Sequence, residues 1–458
     1  MMNKIGMSLS RLWLLVFGGI YLLVFVWTYA EFIVPRFSWQ HFTYSPVPER
    51  NALALALSLL PLLWMPLYID RPSVLAVWVL YFLVYVPSVV VGFHVLSVSN
   101  SIPLFFWVLL GSMLLLSLLP LMPRVLLPRV YVPRDWVITG VMGIWGGGYL
   151  YLLKIFGLRS LPTLSRIYAV RLAARSVLSS HAGIIGYLMR WLNNAFNPFF
   201  MAIGIQKRKW IFLGLGILGE LLIFSFDATK STLMSVFYLL GLYAVLRWKR
   251  WRFPAVLLFV GAIALFGLAL AVDLGFHSFV MRTYLLRRVF YMPGLLSALY
   301  YEYFSSHPHW YWAHTAFGRI LGLLPPPGEV AKTPSFLIGE VYFHNPAGNA
   351  NVNVWGDAFA NMGNYGVVLV TFGLFLLLWL YDSVSLDHDP ALVYFLAGMP
   401  IFALTNSAFL TVILTHGWLA AILLLWLWPP EKFVAKRYVQ EGGEGTEVDG
   451  LPHLIGDG

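Results

Sequence analysis

The feature that most limits how this chain can fold is the length of its apolar runs. Leu12 to Ala30 contains no charged side chain. That is too long for the core of a secretory signal, and no small-residue cleavage site follows, so it reads as a retained helix. Crossing a bilayer takes about 20 mostly apolar residues in a helix, because hydrocarbon offers backbone groups no partners. Stretches of this kind fall at 12–34, 50–69, 73–98, 102–122, 136–157, 181–205, 210–226, 231–246, 253–273, 365–382, 391–408 and 412–428. Of 458 residues, 60% are hydrophobic and 11% charged, against roughly a quarter charged in soluble domains. A water-soluble chain is excluded. The expectation is an all-α polytopic membrane protein with twelve transmembrane helices. Pro400, Thr405, Asn406 and Ser407 interrupt the last pair, which also reads as one span plus a re-entrant piece.

Orientation follows from basic residues in short connections. Lys4, Arg11, Arg71, Arg124, Arg129 and Arg134 fall on one side of the threading, with Lys207 to Lys209, Arg247, Lys249, Arg250, Arg252, Lys432, Lys436 and Arg437. That side is expected to be cytoplasmic, with both termini inside. Residues 1–438 then form one transmembrane domain, and the Gly-rich polar stretch 439–458 a disordered cytoplasmic tail. The formal charge of +10 implies topology and contact with anionic membrane lipids, with no nucleic-acid partner. The absence of cysteine removes disulfides, thiol nucleophiles and Cys-based metal sites.

Two outer segments depart from this charge bias. Residues 158–180 carry Arg159, Arg166, Arg171 and Arg175 and no acid; residues 274–364 form a region of 91 residues between the ninth and tenth spans. Arg171 and Arg175 share a helix face, as do Tyr284, Arg287, Arg288 and Tyr291. Single arginines at a membrane edge also snorkel to headgroups, but an acid-free group of four suggests an anion. Guanidinium forks suit phosphate oxygens and keep their charge when partly dehydrated. Within the membrane, Arg190 and Glu220 are expected to pair or to face water. Asn345, Asn349, Asn351, Asn353 and Asn361 supply the amides that sugar hydroxyls need, and the rings from Tyr300 to Trp312 suit an interfacial belt or sugar stacking. Asp387-His388-Asp389 has a metal-and-sugar-nucleotide spacing but no nucleotide domain around it, and reads as a solvated loop.

Three passages together resemble a family. These are the Asp227–Ser231 turn with Lys230 and Ser231 opening a helix; Arg288-Val-Phe-Tyr-Met-Pro-Gly294 followed by Tyr300 to Phe304; and Asn349-Ala-Asn351-Val-Asn353 with Gly356, Asp357, Asn361, Gly363 and Gly366. Over roughly 160 to 420 the chain resembles the O-antigen polymerases (Wzy-type oligosaccharide repeat-unit polymerases), which are related to the O-antigen ligases. The resemblance implies a GT-C-like enzyme of the bacterial inner membrane with a periplasmic active site. Donor and acceptor would be undecaprenyl-pyrophosphate-linked oligosaccharides, with a chain-length regulator as a further partner. The scheme expected is inverting and metal-independent, without a cofactor. Arg288, Arg166, Arg175, Arg282 and Lys230 would hold the pyrophosphate. Asp357, His344 and His416 are the candidate bases, and Asn349, Asn351, Asn361, Tyr291 and Tyr300 would contact glycan. An O-antigen ligase and a lipid or polysaccharide transporter (flippase) remain the alternatives.

Overall fold

The computed structural model describes residues 2–96, 103–163, 167–180, 184–326 and 332–430, with backbone alone at 2–8, 168, 172, 175, 176, 178–180 and 184. The tail expected at 439–458 therefore lies outside the described residues. Apart from one two-residue antiparallel pairing, Tyr68–Ile69 with Phe253–Pro254, the regular structure among them is helical. Nine helices among the described residues are long and apolar enough to cross a membrane: Leu9–Gln40, Pro72–Val95, Leu104–Leu121, Arg134–Phe156, Trp210–Asp227, Lys230–Trp248, Val256–Gly275, Val354–Val384 and Phe409–Leu427. The protein is an all-α polytopic membrane protein.

The other three expected spans are helical but shorter or interrupted. The 50–69 stretch gives Pro48–Leu59 and a tight 3-10 turn at Leu60–Leu63, where Pro61 cannot donate to the ladder. The 181–205 stretch runs as Ile184–Trp191, a π turn at Leu192–Phe196, then Asn197–Gln206. The 391–408 stretch is helical only over Pro390–Ala403.

Pro72 opens the central helix, where a missing N–H costs nothing. Pro72–Val95 is buried over 89% of its most apolar window, against 28% for Leu9–Gln40 or Val256–Gly275, which leaves those two mostly facing lipid. Rings fill the seam between them: Tyr21 packs edge-on to Phe82 and Phe259, and Phe25 lies 4.4 Å from Tyr291. At the opposite end to the site described below, Ser73 donates through N and Oγ to the buried Asp382 carboxylate, at 3.1 and 2.5 Å.

The expected outer region at 274–364 is only partly outside the bundle. Its middle, a π-helix at Arg282–Tyr291 continuing into Met292–Phe304, packs against Val86–Val95. Gly294 permits the approach, since a Cβ there would sit 2.2 Å from the Pro87 carbonyl oxygen. Ser88 Oγ donates to Ser297 Oγ at 2.9 Å, and Asn353 Nδ2 donates to the same oxygen at 2.7 Å. Asn353 also caps Val354–Val384, accepting from Trp355 N and Gly356 N. That helix starts eleven residues earlier than the apolar run suggested, and it bends at Met362 and at Gly363, whose φ is +58°.

Candidate functional site

Two breaks in one apolar stretch locate the site. Pro390–Ala403 has 14 residues, a rise of about 21 Å, short of the roughly 30 Å hydrocarbon core. The chain leaves the helix at 404–408, forms Phe409–Leu414, breaks again at 415–417 and continues as Trp418–Leu427. Neighbours take up the freed backbone groups. Trp191 Nε1 donates to Leu414 O at 2.7 Å, and Val354 N donates to Leu404 O at 3.1 Å. Gly417, at φ +86°, lies against Asn194. The side chains of the two breaks meet, with Ser407 Oγ and His416 Nε2 3.0 Å apart. Irregular backbone at membrane depth is tolerated only inside protein or along a polar cavity.

The charge of Arg190 acts on both His416 and Asp227. Arg171 also acts on Asp227. The Asp227 carboxylate is fixed by Thr229, which donates from N at 2.8 Å and from Oγ1 at 2.7 Å across a left-handed Ala228. Asp227 thus shapes the turn, and the helix beginning at Lys230 has no side-chain cap. Lys230 Nζ lies 4.2 Å from the centre of the Tyr284 ring, which joins the Asp227–Ser231 turn to the second outer segment. Tyr284 and Arg288 are both exposed, four residues apart on the Arg282–Tyr291 π-helix. Arg287, between them, donates to Gln40 Oε1 at 2.5 Å over the Phe37 ring. Burial, and then the Arg288 charge, lower its guanidinium below the ordinary value. Four cations and one carboxylate (Arg171, Arg190, Lys230, Arg288 and Asp227) therefore line one end of the bundle near a histidine, a balance that suits an anion.

Neither a family model, nor a curated protein, nor a solved structure matches this chain.

The candidate residues divide between the cluster and the scaffold. Lys230, Arg288 and His416 belong to the cluster just described. Arg282 does not act as a free cation: its Nε lies 3.1 Å from the fully buried Asp273 carboxylate, and its Nη2 donates to Ser278 O. Tyr291 and Tyr300 are buried at 0% and 1% exposure, which denies a glycan their faces. Tyr291 donates to Phe25 O, and Tyr300 to Ala350 O. Asn361 is also fully buried; its Nδ2 donates to Asp357 Oδ2 at 3.2 Å and its Oδ1 accepts from Trp312 N. These three are scaffold. Tyr300 holds the loop that presents Asn349 and Asn351, both exposed. Asp357 is 9% exposed with Asn361 as its side-chain partner. His344 is exposed at the left-handed end of Pro334–Phe343. Arg166 lies outside the described residues, and of Arg175 only the backbone is described.

Arg190 and Glu220 do not form the expected pair, since Arg190 acts on Asp227 and His416. In the Asp387–Asp389 loop, Asp387 is exposed as expected of a solvated loop, Asp389 caps Pro390–Ala403 by accepting from Ala391 N, and His388 departs from the expectation by being buried against Trp428 O. Ser407 and Arg190 were not among the expected site residues. The signal for Ser407 was a Thr-Asn-Ser triplet followed nine residues later by His-Gly inside an otherwise apolar run, and that for Arg190 was a charge inside the 181–205 stretch. An apolar groove of about 290 Å³ between Leu14, Phe17, Leu257 and Val260 contains no charged side chain and lies at the opposite end of the bundle.

Proposed function

We propose that the protein is a glycosyltransferase of the bacterial inner membrane that polymerises undecaprenyl-pyrophosphate-linked oligosaccharide repeat units. In this reading it has the GT-C-like plan, the three short helical stretches complete a set of twelve spans, and the cluster end faces the periplasm. The observation that carries the reading is the broken helix, where Ser407 meets His416, with the Arg190 charge acting on both His416 and Asp227 and Lys230 set over Tyr284.

A hydroxyl of the acceptor sugar attacks the anomeric carbon of the donor. The carbon–oxygen bond to the diphosphate breaks with inversion, and negative charge grows on the departing oxygens. Arg190, Arg171, Lys230 and Arg288 hold that charge, each guanidinium that reaches it contributing about 3 kcal/mol in a dry site. His416 accepts the hydroxyl proton late in the transfer, and Ser407 fixes its ring. The exposed Asn349 and Asn351 contact sugar hydroxyls. Asp357, held by Asn361, supports the kinked helix.

The test is purified protein with a synthetic undecaprenyl-pyrophosphate oligosaccharide, with and without EDTA. Wild type should lengthen the glycan in both conditions. Arg190→Ala, Arg288→Ala and His416→Ala should each lose at least about 100-fold. Product that vanishes in EDTA would overturn the metal-independent scheme, and full activity in both Arg190→Ala and His416→Ala would remove the site. In a deletion strain, single-repeat glycolipid accumulates if the enzyme polymerises. Full-length polymer left on undecaprenyl pyrophosphate would instead mark a ligase.

A further inference from the structure

Glu220 sits in the middle of the Trp210–Asp227 helix at 0% exposure. Asn197 and Ser235 stand beside it, yet neither carboxyl oxygen makes a well-formed hydrogen bond to any described residue. The contact between helices is close here: a Cβ on Gly219 would meet Asn197 Oδ1 at 2.3 Å and the Tyr149 hydroxyl at 2.7 Å. Asn197 Oδ1 already accepts from Trp145 Nε1 at 2.8 Å and from Tyr149 OH at 3.1 Å. The groups that meet Glu220 from neighbouring helices are neutral: Tyr149, Asn197 and Ser235. Arg190 and Arg171 act on Asp227, and the charge acting on Glu220 is that same carboxylate.

A lone carboxylate facing only neutral dipoles and a like charge is not stable in a lipid-enclosed bundle. Thr232 Oγ1 and Asn193 Oδ1 are also buried without a partner among the described residues. Each lies about one helical turn nearer the cluster end than the Ser235 or Asn197 of its own helix, and Asp227 lies two turns beyond Glu220 on the same face. These oxygens form steps from the buried acid to the polar end of the bundle.

We propose that Glu220 is a membrane-embedded proton-binding site that exchanges with the cluster end by way of Thr232, Asn193 and Asp227. The site holds the carboxyl as the neutral acid, its O–H turned to Ser235, and it releases the proton toward Asp227. This does not depend on glycosyl transfer.

Infrared difference spectroscopy of the purified full chain, wild type against Glu220→Gln, tests it. At neutral pH the wild type should show a carboxylic-acid carbonyl band that is missing from the variant and shifts in D2O. In Asp227→Asn, loss of the like charge should move deprotonation of this band to lower pH. A spectrum with only carboxylate bands would overturn the site, as would an acid band that never shifts in D2O. Bleaching of the band when N-methylglucamine chloride is replaced by sodium chloride would assign the pocket to an alkali cation instead. If Glu220→Gln fails to fold, wild type grown with carbonyl-13C glutamate reads the same band by its isotope shift.

Discussion

At the scale of single residues, Arg282 and Arg288 show how similar side chains take different work. Arg282 closes a turn, with its own N and Nε on Asp273 Oδ2 while Ser278 Oγ and Met281 N hold Oδ1. Removing the guanidinium leaves a buried carboxylate short of its counter-charge. Arg282→Ala should therefore lower stability by about 3 kcal/mol, measured as a fall in thermal midpoint in detergent. The double variant Arg282→Ala/Asp273→Asn should recover part of that loss. Recovery separates a structural ion pair from a cation needed by substrate, because neutralising Asp273 cannot restore a phosphate contact. In the sequence the two arginines look alike: both lie in one helical stretch with no acid among their neighbours. What distinguishes them is Asp273, nine residues upstream on the preceding helix and brought back by the turn. Tyr291 and Tyr300 are buried on backbone carbonyls for reasons equally silent in the sequence. A ring at an expected membrane edge gives no sign of whether its hydroxyl meets a sugar or a carbonyl.

At the scale of elements, the apolar runs made the order of the helices readable, with nine of the twelve expected spans long and apolar enough to cross a membrane among the described residues, but not which face lipid and which lie in the core. Hydrophobic periodicity fades when both surroundings are apolar, and the sequence gives Met292–Phe304 no label separating a buried helix from an outer one. Glycines decide the matter. At Gly294 an added Cβ would collide with the Pro87 carbonyl, whereas at Gly267, on the lipid-facing Val256–Gly275 helix, it would meet nothing within 4 Å. Gly294→Ala should force Met292–Phe304 away from Val86–Val95 and lower stability by about 2 kcal/mol. Gly267→Ala should leave it unchanged or raise it slightly. Equal thermal midpoints for the two variants would show that the Met292–Phe304 helix is not docked where the Ser88–Ser297–Asn353 bonds place it. The broken helix follows similar logic. Pro400 and the polar triplet after it announced an interruption, but only the packing of Gly417 on Asn194 and the Trp191 bond to Leu414 O show what fills the gap.

At the scale of the whole molecule, the decisive question is which end of the bundle meets the cytoplasm. The end opposite the cluster gathers Arg71, Arg124, Arg129, Arg134, Lys207, Arg208, Lys209 and Arg252 in short connections, where positive charge resists translocation. The cluster end is basic as well, through Arg171, Arg190, Lys230 and Arg288, but its cations lie in long or helical segments and around Asp227. Charge counted in short loops therefore favours the first end as cytoplasmic, and the exceptions gather where a ligand would need them. Because the chain has no cysteine, single cysteines report orientation without background. Ser306→Cys, exposed just beyond Phe304, should react with a membrane-impermeant maleimide in intact cells. Lys209→Cys, exposed at the other end, should react only after the membrane is opened. The reverse pattern would put the arginines and His416 in the cytoplasm. Polymerisation on the outer leaflet would then have no site, while the buried Glu220 would still stand, with its proton path opening to the other compartment.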